Sequence, residues 1–310
     1  MQAWLVFGAV AAAGVLAVWL AGERGPYVHP STRAWFRGPL REFPSRLHGY
    51  VYGRWSNQYI GIAVWRMRAK RSPRRFQAVW ADHYHGKVLP HPLARQVLTL
   101  NQDVELRNLE RAVPYPMPRD LVIRSPGAIA LYNCPCRLAR TNPCVPLDVC
   151  MVIGEPFASF VLGHNPRSSR HVAQAEALEV LEAEHGRGHV HTAYFKDAME
   201  GRFYAICNCC KCCCGGIQSM VKLGHPMVAS SGYIAEMDSE RRKGCGLCME
   251  VCPFEAVMLA NGAPVVDDGK CMGCGVCKVR CRFGAARLVP DPRKPQPMDL
   301  QHLLALGPHG

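Results

Sequence analysis

The longest uncharged stretch of the chain runs from Gln2 to Gly22 and holds Trp4, Leu5, Val6, Phe7, Val15, Leu16, Val18, Trp19 and Leu20. At about 1.5 Å rise per residue, about 20 helical residues span a hydrocarbon core of about 30 Å. Trp4 and Trp19 stand near the two ends, where interfacial aromatics belong. A cleaved signal peptide is the rival, but the segment has no basic leader, lipobox cysteine or twin arginine. The pattern therefore predicts a transmembrane anchor over residues 1–22. Between Arg24 and Arg75 twelve Lys or Arg residues stand against one acid, Glu42. The positive-inside rule then predicts a single-pass protein of the cell inner membrane with its bulk facing the cytoplasm.

Further along, the patterning is mixed. Residues 23–75 form a basic juxtamembrane segment. Within it Tyr50, Tyr52, Trp55, Tyr59, Ile60, Ile62, Val64 and Trp65 suggest short strands, or an interfacial collar. Pro92 to Leu98 reads as a short helix, and so does Asp103 to Ala112, stopped by Pro114. Met117 to Val122 suggests another. Ala128 to Tyr132 is a buried strand, and Val149 to Gly163, interrupted by Glu155 and Pro156, is buried core. Ala173 to Glu184 is a helix, and His189 to Phe195 resumes as a strand. Tyr233 to Met237 is a strand, Val257 to Leu259 and Pro264 to Val266 pair around Asn261-Gly262, and Ala286 to Val289 closes a small sheet. A Pro-rich tail over 291–310 carries a short apolar helix at Leu300 to Leu306. The predicted fold class is α+β: the anchor, a mixed α/β cysteine-containing domain over 76–231, and a small cysteine-rich domain over 232–290.

Composition changes this picture through one residue type. The 310 residues include 17 cysteines. Cys209 and Cys210 are adjacent, as are Cys212, Cys213 and Cys214, and neighbours cannot bridge each other without strain. Clustered thiols in a chain this size read as metal ligands in a reducing compartment. No C-x-x-C-H occurs, so c-type haem is not expected. The net charge of +13 gathers in the juxtamembrane segment, as a lipid-facing collar or a docking patch for an acidic partner. No nucleic-acid-binding signature accompanies it, and nucleic acid is not an expected partner.

Cys271, Cys274, Cys277 and Cys281 are spaced C-x2-C-x2-C-x3-C, which fits an iron–sulfur cubane better than zinc. A shift of 29 residues superimposes Cys245, Cys248 and Cys252 on Cys274, Cys277 and Cys281, and puts Arg242 where Cys271 stands. Residues 232 to 290 resemble a bacterial two-cluster, 2[4Fe-4S] ferredoxin, with Arg282 departing from the family's proline. The resemblance implies that the first three cysteines of a run hold one cluster and the fourth ligates the other. One [4Fe-4S] cluster would then take Cys271, Cys274, Cys277 and Cys252. The second would take Cys245, Cys248 and Cys281, with Arg242 in the missing-ligand slot. Arg242 offers no lone pair, because its guanidinium stays protonated. Four arrangements stay open: a [3Fe-4S] cluster, a [4Fe-4S] cluster with an open iron, a ligand folding back from upstream, or an empty site.

Ten cysteines lie upstream. Cys207, Cys210 and Cys213 keep C-x2-C-x2-C spacing, with Cys209 and Cys212 as a competing pair. A third site is expected from Cys207, Cys210 and Cys213 with Cys134, Cys136, Cys144 and Cys150, as an additional iron–sulfur cluster or a zinc site, with two clusters sharing all ten thiols as the alternative. Cys-Pro-Cys-Arg, Pro-Leu-Asp-Val-Cys-Met and the Cys-rich run together also resemble a group of uncharacterised bacterial 4Fe-4S-binding proteins. His83/His85 and His189/His191 form His-x-His pairs, read as surface or hydrogen-bonded rings. No nucleophile–base pair, phosphate loop or dinucleotide fingerprint appears, so no catalytic residue is assigned. The expected function is a membrane-anchored iron–sulfur carrier passing single electrons to or from a redox partner protein. A catalytic reductase subunit and a redox or metal sensor are the alternatives.

Overall fold

The computed structural model describes residues 28–306 apart from 38, 69–83, 108, 116–118 and 261, together with residues 10, 12–15, 17, 19 and 23. Three helices come first, α1 (Pro30–Trp35), α2 (Phe43–Arg54) and α3 (Ser56–Arg68). Then follow β1 (Tyr84–Leu89), α4 (His91–Leu98), β2 (Val104–Leu106), β3 (Leu121–Asn133), α5 (Pro135–Leu138) and β4 (Asp148–Glu155). Next come α6 (Phe157–His164), β5 (Ser169–Val172), α7 (Gln174–Gly186), β6 (Val190–Lys196), β7 (Phe203–Cys209), α8 (Gly215–Leu223) and β8 (Val228–Ala229). The small cysteine-rich unit contains β9 (Tyr233–Met237), α9 (Leu247–Val251), β10 (Val257–Ala260), β11 (Ala263–Val266), α10 (Val276–Arg280) and β12 (Ala286–Pro290). Helix α11 (Leu300–Leu306) ends the described chain.

Eight strands form one sheet in the order β2-β3-β4-β7-β6-β1-β8, with β5 paired to β3. Its central pairings are antiparallel. Alternate residues of a strand point to opposite faces, and here the two faces build two separate cores. Ile129, Leu131, Met151, Ile153 and Ile206 pack under α4, α7 and α11. Ala130, Tyr132, Cys150, Val152 and Ala205 point the other way, towards α2, α3 and α6. Every cysteine that comes from a strand lies on this second face.

The small unit is two copies of one design. Asp238 O accepts from Arg242 N–H at 3.1 Å, and 29 residues later Asp267 O accepts from Cys271 N–H at 2.9 Å. Gly246 and Gly275 sit at φ +75° and +81° before α9 and α10, a conformation that only glycine adopts without strain. Strands β10 and β11 form a hairpin, while β12 pairs with β9. The tail is not loose. Gln296 O accepts from Lys87 Nζ at 2.8 Å, and Met298 and Leu300 are buried in the core under α4.

Four expectations are corrected. Among the described residues no helix is long and apolar enough to cross a membrane, so the transmembrane anchor and the single-pass inner-membrane placement are withdrawn. Residues 1–9, 11, 16, 18 and 20–22, which hold Trp4, Leu5, Val6, Phe7, Leu16, Val18 and Leu20 of the expected span, lie outside the described residues. What is described near its end is packed into the protein. Trp19 meets Tyr50 edge-on at 6.3 Å, and Glu23, 2% exposed, pairs with Arg54 at 3.5 Å and accepts from Thr32 at 2.8 Å. The strands suggested within 50–65 are helices α2 and α3. Their aromatic residues are good strand formers, but Ser56, Ile60 and Val64 are buried at four-residue spacing and commit the segment to a helix. The helix expected over Asp103 to Ala112 is strand β2 followed by one tight turn, because Val104 and Leu106 alternate and pair with β3. Of the helix expected over Met117 to Val122, residues 117 and 118 lie outside the described residues, and Leu121 and Val122 begin β3.

Two glycines in neighbouring helices separate packing from propensity. A Cβ on Gly49 would collide with Ala198 O and stand 2.6 Å from the Trp35 ring, whereas Gly61 has nothing within 4 Å. Gly49→Ala is expected to cost about 1–3 kcal/mol by overpacking. Gly61→Ala is expected to stabilise by up to about 1 kcal/mol through helix propensity. Urea unfolding of both variants at pH 7 checks the pair, and equal effects would contradict the packing described.

Candidate metal centres

Strand register gathers the upstream thiols. Tyr132 pairs with Cys150 across β3 and β4, and Met151 with Ile206 across β4 and β7. Cys207, one residue further, therefore comes alongside Cys150. Cys209 is on the same face of β7, two residues on. Cys134 continues from β3 and is fixed by its N–H to Leu147 O at 2.7 Å. Cys214 opens helix α8.

One buried side chain joins these segments. Arg137, with no exposure, donates to Glu184 Oε2 at 2.7 Å, to Asn208 O at 3.2 Å and to Pro146 O. It thereby binds the Cys134–Cys136 loop, the loop before Cys150, and strand β7. Glu184 also receives His189 at 2.6 Å and Arg187 at 3.0 Å. Burial would raise the Glu184 pKa, but the bonds from His189 and Arg137 and both their charges outweigh it and hold the carboxyl below its ordinary value of 4.5. Asn208, between two cysteines, is locked by its Nδ2 to Val149 O at 2.8 Å and its Oδ1 to His191 Nδ1 at 2.6 Å.

The expected third site divides in two. Cys144, Cys210, Cys212 and Cys213 form a group that could hold a metal ion, with all four Sγ atoms within 4.8 Å of one another. Two of the separations are 3.0 Å and 3.5 Å. A tetrahedral ion with metal–sulfur bonds of about 2.3 Å sets sulfurs about 3.8 Å apart, so the group fits one ion. A cubane carries each thiolate on a different iron and spreads them wider. Cys144 N–H points at Cys213 Sγ at 3.4 Å, and Arg140 holds Cys213 O at 2.8 Å.

The other six, Cys134, Cys136, Cys150, Cys207, Cys209 and Cys214, line a cavity of about 60 Å³ beneath α2, α3 and α6, whose wall Cys210 of the four-thiol group also reaches. Hydrogen bonds from the Cys136 and Cys150 thiols hold Cys134 well below the ordinary thiol value, and those from Cys136 and Cys209 do the same for Cys214. Their donors are pushed up in return. Tyr194 OH reaches Cys209 Sγ at 3.9 Å. The expected competing pair of Cys209 and Cys212 is split between the two groups, Cys214 stands outside the expected third site, and Arg137 and Asn208 give no motif signal.

In the small unit, Cys252, Cys271, Cys274 and Cys277 line one cavity of about 20 Å³ with Phe254 and Val257. Ala235 N–H points at Cys271 Sγ at 3.4 Å and Ala256 N–H at Cys252 Sγ at 3.3 Å. Burial, then the charge of Cys271, pushes the Cys277 thiol up to about 12. Cys245, Cys248 and Cys281 line a second, wider cavity of about 300 Å³ with Arg242, Lys243 and Arg282. Ala285 N–H points at Cys281 Sγ at 3.3 Å, the counterpart of the Ala256 bond. No upstream cysteine lines either cavity. Of the histidine pairs, His83 lies outside the described residues and His85 is buried, stacked on Tyr115 at 3.7 Å. His189 serves Glu184, and His191 stands in a group with His91 and His185.

No protein-family model matches this chain, and no curated protein matches it.

Two outcomes are expected. Arg137→Leu removes the fully buried one of the three cationic partners of Glu184 and should cost about 3 kcal/mol in urea unfolding. Because the folded Glu184 pKa is depressed, its contribution is present above about 4.5 and fades as pH falls through the folded value. Urea unfolding should show wild type losing more stability than Glu184→Gln between pH 5 and pH 3, on the order of 1 kcal/mol or more. Separately, Co²⁺ added to the metal-free chain should give a tetrathiolate charge-transfer spectrum. Cys144→Ser and Cys212→Ser should each remove one equivalent of it, and an unaltered titration would dismiss the four-thiol site.

Proposed function

We propose that this chain is an iron–sulfur electron-transfer protein, passing single electrons through ferredoxin-type clusters to or from a partner oxidoreductase. One observation carries the reading. Cys252, Cys271, Cys274 and Cys277 converge on one cavity, and Cys245, Cys248 and Cys281 on another, within a folded 29-residue repeat. Clusters held there supply one-electron chemistry, with potentials set by charge, hydrogen bonds to sulfur and exposure.

The chain's own residues hold and tune. The N–H groups of Ala235 and Ala256 aim positive dipoles at the sulfurs of the first set and favour the more negative, reduced state. Phe254 and Val257 keep water from that set. Arg242, Lys243 and Arg282 do by charge, at the second set, what the amides do at the first. Arg242 brings no donor atom, which favours a three-thiolate [3Fe-4S] arrangement. Met249, Val279 and Phe283 are exposed on this unit and offer apolar contact to a partner. The four-thiol group around Cys212 suits a single structural ion, zinc first.

The wider second cavity favours another reading, a reductase in which a small anion enters beside Arg242 and Lys243. Substrate-dependent perturbation of one EPR signal would select it.

Anaerobic iron and sulfide counting with EPR tests the proposal. Wild type is expected to show a three-iron signal together with a [4Fe-4S] signal. Arg242→Cys should convert the former into a second [4Fe-4S] signal. Absence of iron after anaerobic assembly would end the electron-transfer reading, and an unchanged spectrum in the variant would end the three-thiolate one.

A further inference from the structure

Six thiols take no part in either centre above. Cys134, Cys136, Cys150, Cys207, Cys209 and Cys214 face one cavity, and four of them are buried. An isolated buried cysteine is ordinarily a small hydrophobe. That reading fails here because every thiol meets another. Side-chain contacts run Cys207–Cys150–Cys134–Cys136–Cys214–Cys209 without a break. We propose that this chamber holds a polynuclear iron–sulfur centre, adjoining the four-thiol site at Cys210 and distinct from the ferredoxin-type pair.

The count of ligands argues for more than one metal ion. A tetrahedral ion uses four thiolates, and a cubane four. Six contiguous thiols exceed both, so sulfurs are shared or a larger core is bound. Charge argues the same way. Thiolates lined by Tyr132, Tyr204 and Phe157 are costly unless matched by cations. Arg137, beside the chamber, is already matched by Glu184. Lys196 lies over the Tyr52 ring at 3.5 Å, and burial pushes its ammonium well below the ordinary lysine range, so it brings little positive charge to the chamber. Among the described residues no side-chain cation near it therefore balances six sulfurs, whereas metal ions do. Soft thiolate sites select Cu(I), zinc or iron–sulfur cores. Iron is favoured by position. The chamber shares one apolar core with Cys252, Cys271 and Cys277, and Lys211 Nζ donates to Glu250 O at 2.8 Å across the junction. This inference goes beyond the electron-transfer reading and can stand if that reading falls.

The test is metal analysis of the full chain assembled anaerobically with iron and sulfide. The ferredoxin-type pair accounts for about seven or eight iron atoms. In Cys248→Ser/Cys274→Ser, which disables that pair, at least about two iron atoms per chain should remain with a Mössbauer signature of thiolate-bound iron. They should be lost in Cys134→Ser/Cys214→Ser. Should that variant not fold, Cys207→Ser, at the half-buried end of the array, should alter the Mössbauer parameters of the remaining iron. No iron left in Cys248→Ser/Cys274→Ser, or zinc or copper in its place, would overturn the proposal. Loss of iron between wild type and that variant reports on the ferredoxin-type pair alone, so the two readings fail separately.

Discussion

The arrangement of the upstream thiols depends on the ion pair between Arg137 and Glu184. Neither group is exposed, and each is expensive to bury alone. Together they offset that cost, and the two terminal nitrogens of the guanidinium also donate to the backbone carbonyls of Asn208 and Pro146, while its Nε has no hydrogen-bond partner among the described residues. The Cys134–Cys136 segment is thereby held in register with the loop nine residues on and with α7 and β7, 47 and 71 residues away. An apolar pair of equal volume would keep the packing and lose that registration. A planar fork with several donors can hold a carboxylate on α7, a carbonyl on β7 and a carbonyl in the loop before β4 at once, which a lysine at this position could not do.

Around this pin the sheet acts as a sorting device. Period-two alternation sends Ile129, Leu131, Met151 and Ile206 to one core, and the strand cysteines to the other. The sulfur-rich face can therefore be crowded and polarisable while the opposite face stays an ordinary aliphatic core. The loop beyond β7 carries its later thiols toward the surface end, where the buried Cys210 and Cys213 and the exposed Cys212 meet Cys144. Two adjacent groups of sulfur thus have different settings, one half in solvent and one inside.

Much of the small unit was legible in the sequence. Strand Tyr233–Met237, the hairpin around Gly262 and the 29-residue repeat are local features, written in turn residues and spacing. Helix Leu300–Leu306 was legible for the same reason. The upstream site was only half legible. Counting C-x2-C-x2-C grouped Cys207 with Cys210 and Cys213, as on a loop. The segment is strand as far as Cys209, so Cys207 belongs with Cys209 instead. Which sulfurs meet then depends on the registers of β3, β4 and β7, which no local pattern encodes. Tyr50 to Trp65 misled in a different way. Aromatic content suggested strands, while the burial of Ser56, Ile60 and Val64 shows a helical stripe interrupted by enough other apolar residues to hide it.

The path of the tail has a topological consequence. After β12 the chain does not leave the molecule. It returns past Lys87 and seats Met298, Leu300 and Leu303 beneath the larger sheet. The cysteine-rich unit is therefore an insert clasped at both ends, between β8 and the returning strap. A module on a single tether sweeps a sphere, whereas one clasped twice can at most rock about the line joining its two attachments. Whatever meets this unit has to approach it where it stands.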